Sequence, residues 1–330
     1  MRFKWLALIS MILILLVITA CGAKGQEVST GSGQDRVESG ATSQESNVKT
    51  VNSEMGEIEI PETPQRVVGL SVVYPEFLYA LGIVPVAVQN YHDDFPSYLS
   101  EPFSNTMKMG IGKTPNFEAI MEASPDLIIA PAWWSQKDYD QLTLIAPTVL
   151  LQGRDDWRDE LRDIAKIVNK EEQAEQVIQD LVEKEKIAAD TLNKLIGDET
   201  VLYIRVMEKE IVMHGENIDR GNFVHKRLGM KPVPNFPQSE KAMSVSLEVL
   251  PEYDADHLIV QLDDETNPEI KKKFEQMLST SLWKNLKAVK EDHVYMVGGK
   301  EWFNLGMAPL ADSYVIDDIV AAFEEKNEFR

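Results

Sequence analysis

Cysteine is almost absent from the 330-residue chain, which contains only Cys21. A disulfide within the chain needs two cysteines, and a cysteine-based zinc or iron–sulfur centre needs several, so the sequence excludes both. Catalytic signatures are also missing: no Walker-type phosphate loop, no His-Glu-x-x-His and no Gly-x-Ser-x-Gly element occurs. We therefore expect no enzyme and keep an extracytoplasmic enzyme only as an alternative.

Positive charge is the second feature in short supply. Lysine and arginine total 33 against 54 aspartates and glutamates, and the formal net charge is -21 at pH 7. Phosphate backbones and anionic membrane surfaces repel such a chain, so no nucleic-acid partner is expected. The rest of the composition, with 44% hydrophobic and 26% charged residues, is that of a globular protein long enough for two domains.

The first 21 residues have the pattern of a secretion signal. Arg2 and Lys4 precede a mostly apolar run, residues 5–20, which ends directly before Cys21. This run is short for a bilayer-spanning helix, which needs about 20 apolar residues. Small residues before a cysteine at this place resemble the lipobox of bacterial lipoproteins. Cleavage after a signal peptide at residues 1–20 and lipidation of Cys21 are therefore predicted, with an uncleaved membrane anchor as the alternative.

Either form of the amino terminus places the remainder on the extracytoplasmic face of the cell membrane, and we expect a bacterium without an outer membrane. Residues 21–54 are rich in Gly, Ser, Thr, Gln and Glu and contain few large apolar side chains. Such a segment cannot bury enough surface to offset its conformational entropy. We predict a flexible tether over residues 21–54, with the folded part starting near Val51.

Two segments of the folded part repeat without a gap, 130 residues apart: residues 116–130 align with residues 246–260. Each copy is typical of a helix N-cap, a short helix that opens with an acid, and then an aspartate and a buried strand. A second pair, residues 81–86 and 228–233, precedes them, and in both copies a glycine ends a helix before a strand. Two repeated units in the same order predict two similar α/β lobes.

The segment between the repeats, residues 157–199, has apolar residues at helical spacing. Asn169 interrupts the pattern, so we expect one short helix and one long helix from about Glu171 to Ile196. The long helix would join an N-terminal lobe, residues 55–156, to a C-terminal lobe, residues 200–330. A stiff connector of this kind favours a small hinge motion over wide closure.

Several motifs follow one another in a fixed order along the folded part. They are Pro64–Val68 with Glu76, Leu81–Gly82, Pro115–Glu118 through Pro125–Ile129, Ile145–Thr148, Leu282–Trp283 through Val294–Tyr295, and Trp302 with Ile316–Ile319. Each motif is weak alone, but their order and spacing are specific. Together they resemble the substrate-binding lipoproteins of ABC importers for iron–siderophores, haem and cobalamin. The resemblance implies two α/β lobes bridged by one long helix, with the ligand held in the cleft.

The resemblance also implies partners for the chain. In such receptors an exposed glutamate on each lobe contacts arginines of the two permease subunits, and by motif position these are Glu118 and Glu248. An acid near a helix N-terminus also interacts favourably with the helix dipole, which is compatible with docking. We thus expect a monomer that delivers a ferric siderophore to an ABC permease pair with its cytoplasmic ATPase, and that is held at the membrane by its lipid.

Cleft residues are expected in loops that follow strands. Aromatic faces with a few arginines suit a bulky, polar or anionic chelate. The candidates are Tyr74, Tyr91, Trp133, Trp134, Arg154, Arg205 and Trp302. The family's usual contact positions favour Trp302 and Arg205, whereas Arg154 is weaker because it adjoins two aspartates. A ferric siderophore already saturates its iron(III) with oxygen ligands, so neither a direct metal ligand nor a permanently bound cofactor is expected.

Other ligands stay open at this point. Haem or cobalamin would keep the transport role, and Met207, Met213 and His214 could offer haem an axial ligand, although a solvated β-hairpin is the favoured interpretation of that segment. The loop Tyr91–Asp94 contains hard metal ligands, but consecutive residues rarely point at one ion. The siderophore class is undecided among hydroxamate, carboxylate and catecholate chelates, with few cationic candidates arguing mildly against a tris-catecholate. A purely adhesive lipoprotein would not explain the duplicated units.

Overall fold

The computed structural model describes residues 47–328 of the chain. The predicted signal peptide, the lipidation site Cys21 and residues 21–46 of the predicted tether lie outside the described residues. In the described part, none of the helices combines the length and the hydropathy that a bilayer crossing requires. The described residues belong to one compact unit.

An antiparallel hairpin, β1 (Val48–Ser53) and β2 (Gly56–Pro61), comes first. The turn between its strands uses Gly56 at a φ of +101°, a conformation that glycine adopts without steric cost. Val51 and Ile58 on one face pack against the core of the lobe that follows. The predicted end of the tether at residue 54 is therefore wrong: residues 48–53 are already part of the folded body, because their apolar positions alternate and have a core to cover.

The N-terminal lobe is built on a five-stranded parallel sheet in the order β5-β4-β3-β6-β7. Four of its strands are buried on both faces, as is usual where helices cover a parallel sheet, and the edge strand β5 is partly exposed. The strands are β3 (Val67–Gly69), β4 (Ala87–Val88), β5 (Met107–Lys108), β6 (Leu127–Pro131) and β7 (Thr148–Leu151). The helices are α1 (Tyr74–Ala80), α2 (Ser97–Ser100), α3 (Phe117–Ala123), α4 (Ala132–Ser135) and α5 (Tyr139–Thr143), with a 3₁₀ turn at Gln136–Asp138.

Two helices connect the lobes, α6 (Trp157–Val168) and α7 (Glu171–Ile196). The Asp156 carboxylate accepts a hydrogen bond from the Arg158 backbone N–H at 2.9 Å and caps the start of α6. Asn169 ends α6 in the left-handed conformation, and Gly197 follows the last residue of α7. Both helices therefore lie where their spacing and end signals predicted them.

The C-terminal lobe contains a second five-stranded sheet, in the order β10-β9-β8-β11-β12. Strands β8, β11 and β12 are parallel, whereas β9 is antiparallel to both β8 and β10. The strands are β8 (Val201–Val206), β9 (Ile211–Met213), β10 (Met243–Val245), β11 (His257–Leu262) and β12 (Val294–Val297). The helices are α8 (Asp219–Asn222), α9 (Pro268–Ser279), α10 (Ser281–Asn285), α11 (Lys287–Lys290) and α12 (Pro309–Glu328), with a π-helical turn at Phe223–Arg227 and a 3₁₀ turn at Leu250–Tyr253.

The predicted fold class, two α/β lobes bridged by one long helix, is confirmed. A continuous apolar core extends from one lobe to the other and includes residues of α6, α7 and α12. Separate clusters fill the outer faces of the two sheets. The lobes are thus packed on a shared helical backbone.

The aspartate of the internal repeat has the same structural task in both lobes. Asp126 accepts hydrogen bonds from the backbone N–H groups of Gln65 and Arg66, at 2.7 and 2.9 Å, just before β3. Asp256, 130 residues later, accepts one from the N–H of Thr200 at 2.6 Å, just before β8. Each carboxylate satisfies the backbone at the entry of the neighbouring strand, which gives the repeat a physical basis.

The repeat is imperfect at two places. Pro251 in the second copy has no backbone N–H and cannot continue an α-helix, so a turn and a 3₁₀ helix replace the short helix predicted there. Gly82 and Gly229 both adopt a positive φ after a helical segment, as predicted. After Gly229, however, the chain forms only an isolated bridge between Lys231 and Thr200 instead of a strand, because β9 is the neighbour of β8 in this sheet.

Candidate functional site

The two lobes meet at the carboxyl ends of their parallel strands, where α/β proteins hold ligands. A cavity of about 40 Å³ lies between them. The N-terminal lobe lines it with α1 and with the loop that follows β4, and the C-terminal lobe contributes Lys300, Phe303 and Asn304, which follow β12. Loops after strands therefore form the cleft, as expected from the sequence.

Tyr91, in the loop after β4, reaches across the cleft to the other lobe. Its hydroxyl donates a hydrogen bond to Asp263 Oδ2 at 2.8 Å, and its ring stacks on Phe303 with 4.5 Å between centroids. His92 Nε2 lies 2.9 Å from the backbone oxygen of Asp263. Desolvation and the neighbouring Asp263 raise the pKa of Tyr91 to about 12, so the phenol remains a hydrogen-bond donor at neutral pH.

Arg205, near the end of β8, lies on the C-terminal side of the same contact. Its guanidinium forms a buried ion pair with Asp263 and lies over the ring of Phe303, 5.3 Å from the centroid. Asp263 thus joins a cation of its own lobe to a tyrosine of the other. The structure brings together two of the predicted ligand residues, Tyr91 and Arg205, and adds Phe303 and Asp263, which the sequence did not single out.

Glu76 is a second group that joins the lobes, and it is completely buried in α1. Its carboxylate accepts hydrogen bonds from Asn304 Nδ2 at 2.6 Å and from the N–H of Ala311, at the start of α12, at 2.9 Å. The Tyr98 hydroxyl lies 3.4 Å from it. Burial raises the pKa of Glu76 to about 7. The sequence offered one signal for this role, an acid directly before the apolar pair Phe77–Leu78.

Glu76→Gln is expected to change how stability depends on pH. Because the pKa of Glu76 is about 7 in the folded chain and about 4.5 in the unfolded chain, the folded state binds its proton more tightly. This contribution to stability is fully present below pH 4.5 and is lost as the pH rises through 7. It amounts to roughly 3 kcal/mol.

Urea unfolding of wild type and Glu76→Gln at pH 5 and pH 8 measures this effect. The fall in the free energy of unfolding between the two pH values should be smaller in the variant. Glu122→Gln, which removes an exposed acid of α3, should behave as wild type does. An identical pH dependence in wild type and Glu76→Gln would contradict the assignment.

Two aromatic residues predicted to bind ligand lie in the core instead. Tyr74 is 1% exposed, and its hydroxyl donates to Glu160 at 2.7 Å. Trp302 is also 1% exposed, and its Nε1 donates to Asp318 at 2.6 Å. Their apolar rings pack in the shared core, whereas Phe303, the neighbour of Trp302, lines the cavity.

The other sequence candidates lie away from the cavity wall. Arg154 is exposed, forms an ion pair with Asp163 at 2.6 Å and lines a groove beside the hairpin β1–β2. Trp133 is 78% exposed in α4 at the carboxyl end of β6, and Trp134 packs against the outer core of its lobe. A direct role in holding ligand is therefore better supported for Tyr91 and Arg205.

The segment considered for haem is buried rather than solvated. β8 and β9 form the predicted hairpin, but Met213 is 0% and His214 4% exposed. His214 Nδ1 contacts the backbone oxygen of Lys241, and burial, with Arg220 and Arg205 nearby, lowers the pKa of His214 to about 3. Across residues 47–328, no group of three or more His, Cys, Asp or Glu side chains is arranged to hold a metal ion.

Glu118 and Glu248 are exposed at corresponding places of the two lobes. Glu118 lies in the first turn of α3, and Glu248 lies in the turn that precedes the 3₁₀ helix. A hydrogen bond from Ser246 lowers the pKa of Glu248, so its carboxylate is charged at neutral pH. Within the described part of the chain, neither carboxylate forms an ion pair.

Comparison with known proteins gives one consistent picture. The profile of a family described as periplasmic binding protein matches residues 67–300. A probable siderophore-binding lipoprotein of Bacillus subtilis (strain 168), YfiY, is 34% identical over 327 residues, covering 94% of this chain and 95% of that protein. An Fe(3+)-citrate-binding protein of the same strain, YfmC, is 30% identical over 308 residues and covers 91% of each chain.

A solved structure agrees with these sequence relatives. A periplasmic binding protein component of a Fep/Fec-like ferrichrome ABC transporter from Bacillus subtilis, of the FhuD fold family, superposes with a TM-score of 0.70 at 25% identity. The match covers 83% of this chain and 99% of that chain. The relative named for ferric citrate is 30% identical to this chain, and the structure named for a ferrichrome transporter is 25% identical. Sequence similarity alone therefore does not indicate which chelate this chain binds.

Proposed function

The chain belongs to the periplasmic binding protein family, and from this premise we propose that it captures an iron(III)–siderophore between its two lobes and delivers it to the permease of an ABC importer. The observation that carries the proposal is the set of Tyr91, Phe303 and Arg205 at the carboxyl ends of the two sheets. Aromatic faces beside a guanidinium suit a bulky polar chelate. The names of the relatives for ferric chelates and for an ABC transporter support the same role.

Entry of the chelate requires the lobes to part. Sites for drug-sized ligands occupy roughly 300–1,000 Å³, far more than the cavity of about 40 Å³ between the lobes. The contacts of Tyr91 with Asp263 and Phe303 cross the cleft and have to open first. The shared core along α7 and α12 resists large rotations, so a modest hinge motion is the form of opening proposed.

Attachment to the membrane is part of the proposal. The signal peptide would be cleaved after residue 20 and Cys21 would be lipidated, so that a tether up to residue 47 holds the receptor on the extracytoplasmic face. A relative named as a lipoprotein supports this arrangement. The N-terminal lobe, predicted to begin at residue 55, then begins with the hairpin at Val48 and extends to residue 156, and the helices of residues 157–199 join it to the C-terminal lobe, residues 200–330. A tether raises the local concentration of receptor at the permease, so a modest docking affinity suffices.

The receptor is proposed to contact the permease through Glu118 and Glu248, because both side chains are exposed and lie at equivalent positions of the two lobes. Both acids lie at the surface of their lobes without an ion-pair partner among residues 47–328. A permease pair that presents one arginine surface to each lobe would match this arrangement of charge. The cytoplasmic ATPase of the importer would then act through the permease.

Radioiron uptake by cells that lack the gene tests the function. Restoring the full chain is expected to restore uptake from at least one ferric siderophore, because capture at the membrane supplies the permease. Restoring Cys21→Ala to the same protein level should give much less uptake, since the variant has no lipid anchor. If cells that lack the gene take up iron from every ferric chelate as well as cells that carry it, the proposal is contradicted.

A further inference from the structure

Trp133 is the most exposed aromatic residue in the described part of the chain. Tyr91 and Trp133 are the two exposed aromatic residues among positions 47–328, at 47% and 78%. Tyr91 stacks on Phe303 across the cleft. Within the same residues, no aromatic ring contacts Trp133, and its Nε1 donates no hydrogen bond. The indole therefore presents a large apolar surface to its surroundings.

The fold does not require an aromatic ring at this position. Trp133 lies in the short helix α4, where adjacent side chains point about 100° apart, so that Trp133 and Trp134 cannot both face inward. Trp134 packs against the outer core of the lobe together with Ala132. An indole left in water gives up the stabilisation that burial of so large an apolar surface provides. A contact with another molecule would give this side chain a role that the fold does not.

Trp133 lies at the edge of the N-terminal sheet that also carries Glu118. Strands β3, β4, β5 and β6 are parallel, so their carboxyl ends share one edge. Trp133 follows the carboxyl end of β6 by two residues, and Glu118 lies in the first turn of α3. Asn116, directly before α3, lines a cavity of about 130 Å³ with residues that follow β3 and β4. The start of α3 is therefore at this edge as well.

A direct contact holds the two segments together. Lys137 Nζ, in the turn after α4, donates to the backbone oxygen of Lys113 at 2.7 Å, in the loop before α3. This loop contains a second exposed apolar residue, Ile111, which is 53% exposed. Trp133, Ile111 and Glu118 are thus exposed at one edge of the lobe, and we call these three residues the Trp133 surface.

The C-terminal lobe has no counterpart of this indole. Continuing the 130-residue repeat three positions past its end aligns Trp133 with Asp263, which is 3% exposed. By the same offset Ile111 corresponds to Lys241, an exposed charged residue. The exposed acids are repeated in both lobes, whereas the aromatic residue beside them is present in one. The two lobes therefore offer a partner the same charge but different apolar contacts.

We infer that Trp133, with Ile111, is an apolar anchor that inserts into an apolar pocket of the permease, beside the arginine that Glu118 contacts. The inference rests on the proposed receptor function and adds a contact that the paired acids do not supply. Tryptophan is enriched among the residues that dominate protein–protein binding, where polar contacts around it exclude water. A lipid surface fits less well, because anionic headgroups repel the carboxylate of Glu118 at the same edge.

Radioiron uptake tests the anchor in cells that lack the gene and make the full chain from a titratable promoter. Iron is offered as whichever of ferric citrate, ferrichrome and a ferric catecholate chelate the wild type transports. Trp133→Ala should need about tenfold or more protein for half-maximal uptake, because the apolar contact with the permease is lost. Its affinity for the same chelate should stay within about twofold of wild type, since Trp133 does not line the interlobe cavity. Trp133→Phe keeps an aromatic ring and should give an intermediate loss of uptake.

Leu144→Ala is the matched control. Leu144 is 87% exposed and lies shortly before β7, at the opposite edge of the same sheet. Uptake by this variant should follow that of wild type. Both side chains are exposed, so both variants should unfold at the wild-type temperature, which thermal unfolding verifies. Uptake by Trp133→Ala that equals uptake by Leu144→Ala would overturn the anchor.

Two other outcomes would also overturn the anchor and leave the receptor function standing. Weaker chelate binding by Trp133→Ala would assign the indole to the ligand site. Sedimentation of residues 47–330, which contain the compact unit, with vesicles of phosphatidylglycerol and phosphatidylcholine would assign it to the membrane if Trp133→Ala abolishes it. Failure of the wild type to support uptake from any ferric chelate would instead contradict the receptor function itself.

Discussion

Reversing both exposed glutamates, Glu118→Lys together with Glu248→Lys, is expected to abolish uptake of the ferric chelate while leaving its binding intact. Both side chains lie at the surface of separate lobes and form no ion pair within the described residues. A lysine placed against a permease arginine replaces attraction by repulsion, which costs several kcal/mol at each contact. We expect uptake to fall more than about a hundredfold in the double variant.

Radioiron uptake in cells and chelate binding to the purified chain measure the two halves of this prediction. Glu122→Lys together with Glu252→Lys is the matched control, because these acids are also exposed and also repeat 130 residues apart. The control pair should keep most of the uptake. Equal losses in both double variants would indicate a general charge effect, and lost chelate binding in the first would contradict the docking role.

Arg205→Ala is expected to weaken chelate binding about thirtyfold or more, because it removes the guanidinium beside Phe303 at the cleft. The same change leaves Asp263, which is 3% exposed, without its cation. Loss of one partner of a buried ion pair costs about 3–5 kcal/mol of stability. Binding is therefore measured at a temperature at which unfolding curves show the variant to be folded.

Arg154→Ala is the control for that experiment. Arg154 is exposed and pairs with Asp163 in a groove outside the interlobe cavity, so its loss should change chelate affinity by less than about twofold. Arg205→Lys keeps the charge and should fall between wild type and Arg205→Ala. An affinity unchanged by Arg205→Ala would remove this residue from the site.

The fold was largely predictable because its signals are local. Asp156, Asn169 and Gly197 mark the ends of α6 and α7 by capping chemistry that acts within one turn. The repeated aspartates, Asp126 and Asp256, satisfy backbone groups at strand entries in both lobes. The antiparallel pairing of β10 with β9 was not predicted, because it joins segments about 30 residues apart and no local signal marks it.

The site was predictable only in part, because burial depends on packing between distant segments. Trp302 and Phe303 are adjacent in sequence, yet one lies in the core and the other lines the cavity. Arg205 was predicted from its place at the end of β8, whereas no motif in the sequence singled out its partners Asp263 and Phe303.

Capture of a ferric chelate between the lobes is tested most directly by titrating the tryptophan fluorescence of residues 47–330. The panel is ferric citrate, ferrichrome, a ferric catecholate chelate, haem, cobalamin and free ferric ion. Trp302 lies in the core next to the cavity residue Phe303, so a chelate bound in the cleft should quench its emission. The account predicts saturable quenching by one ferric chelate below about 1 µM, the usual range of a specific site. Silence toward every ferric chelate, with a response to haem or cobalamin alone, would contradict it.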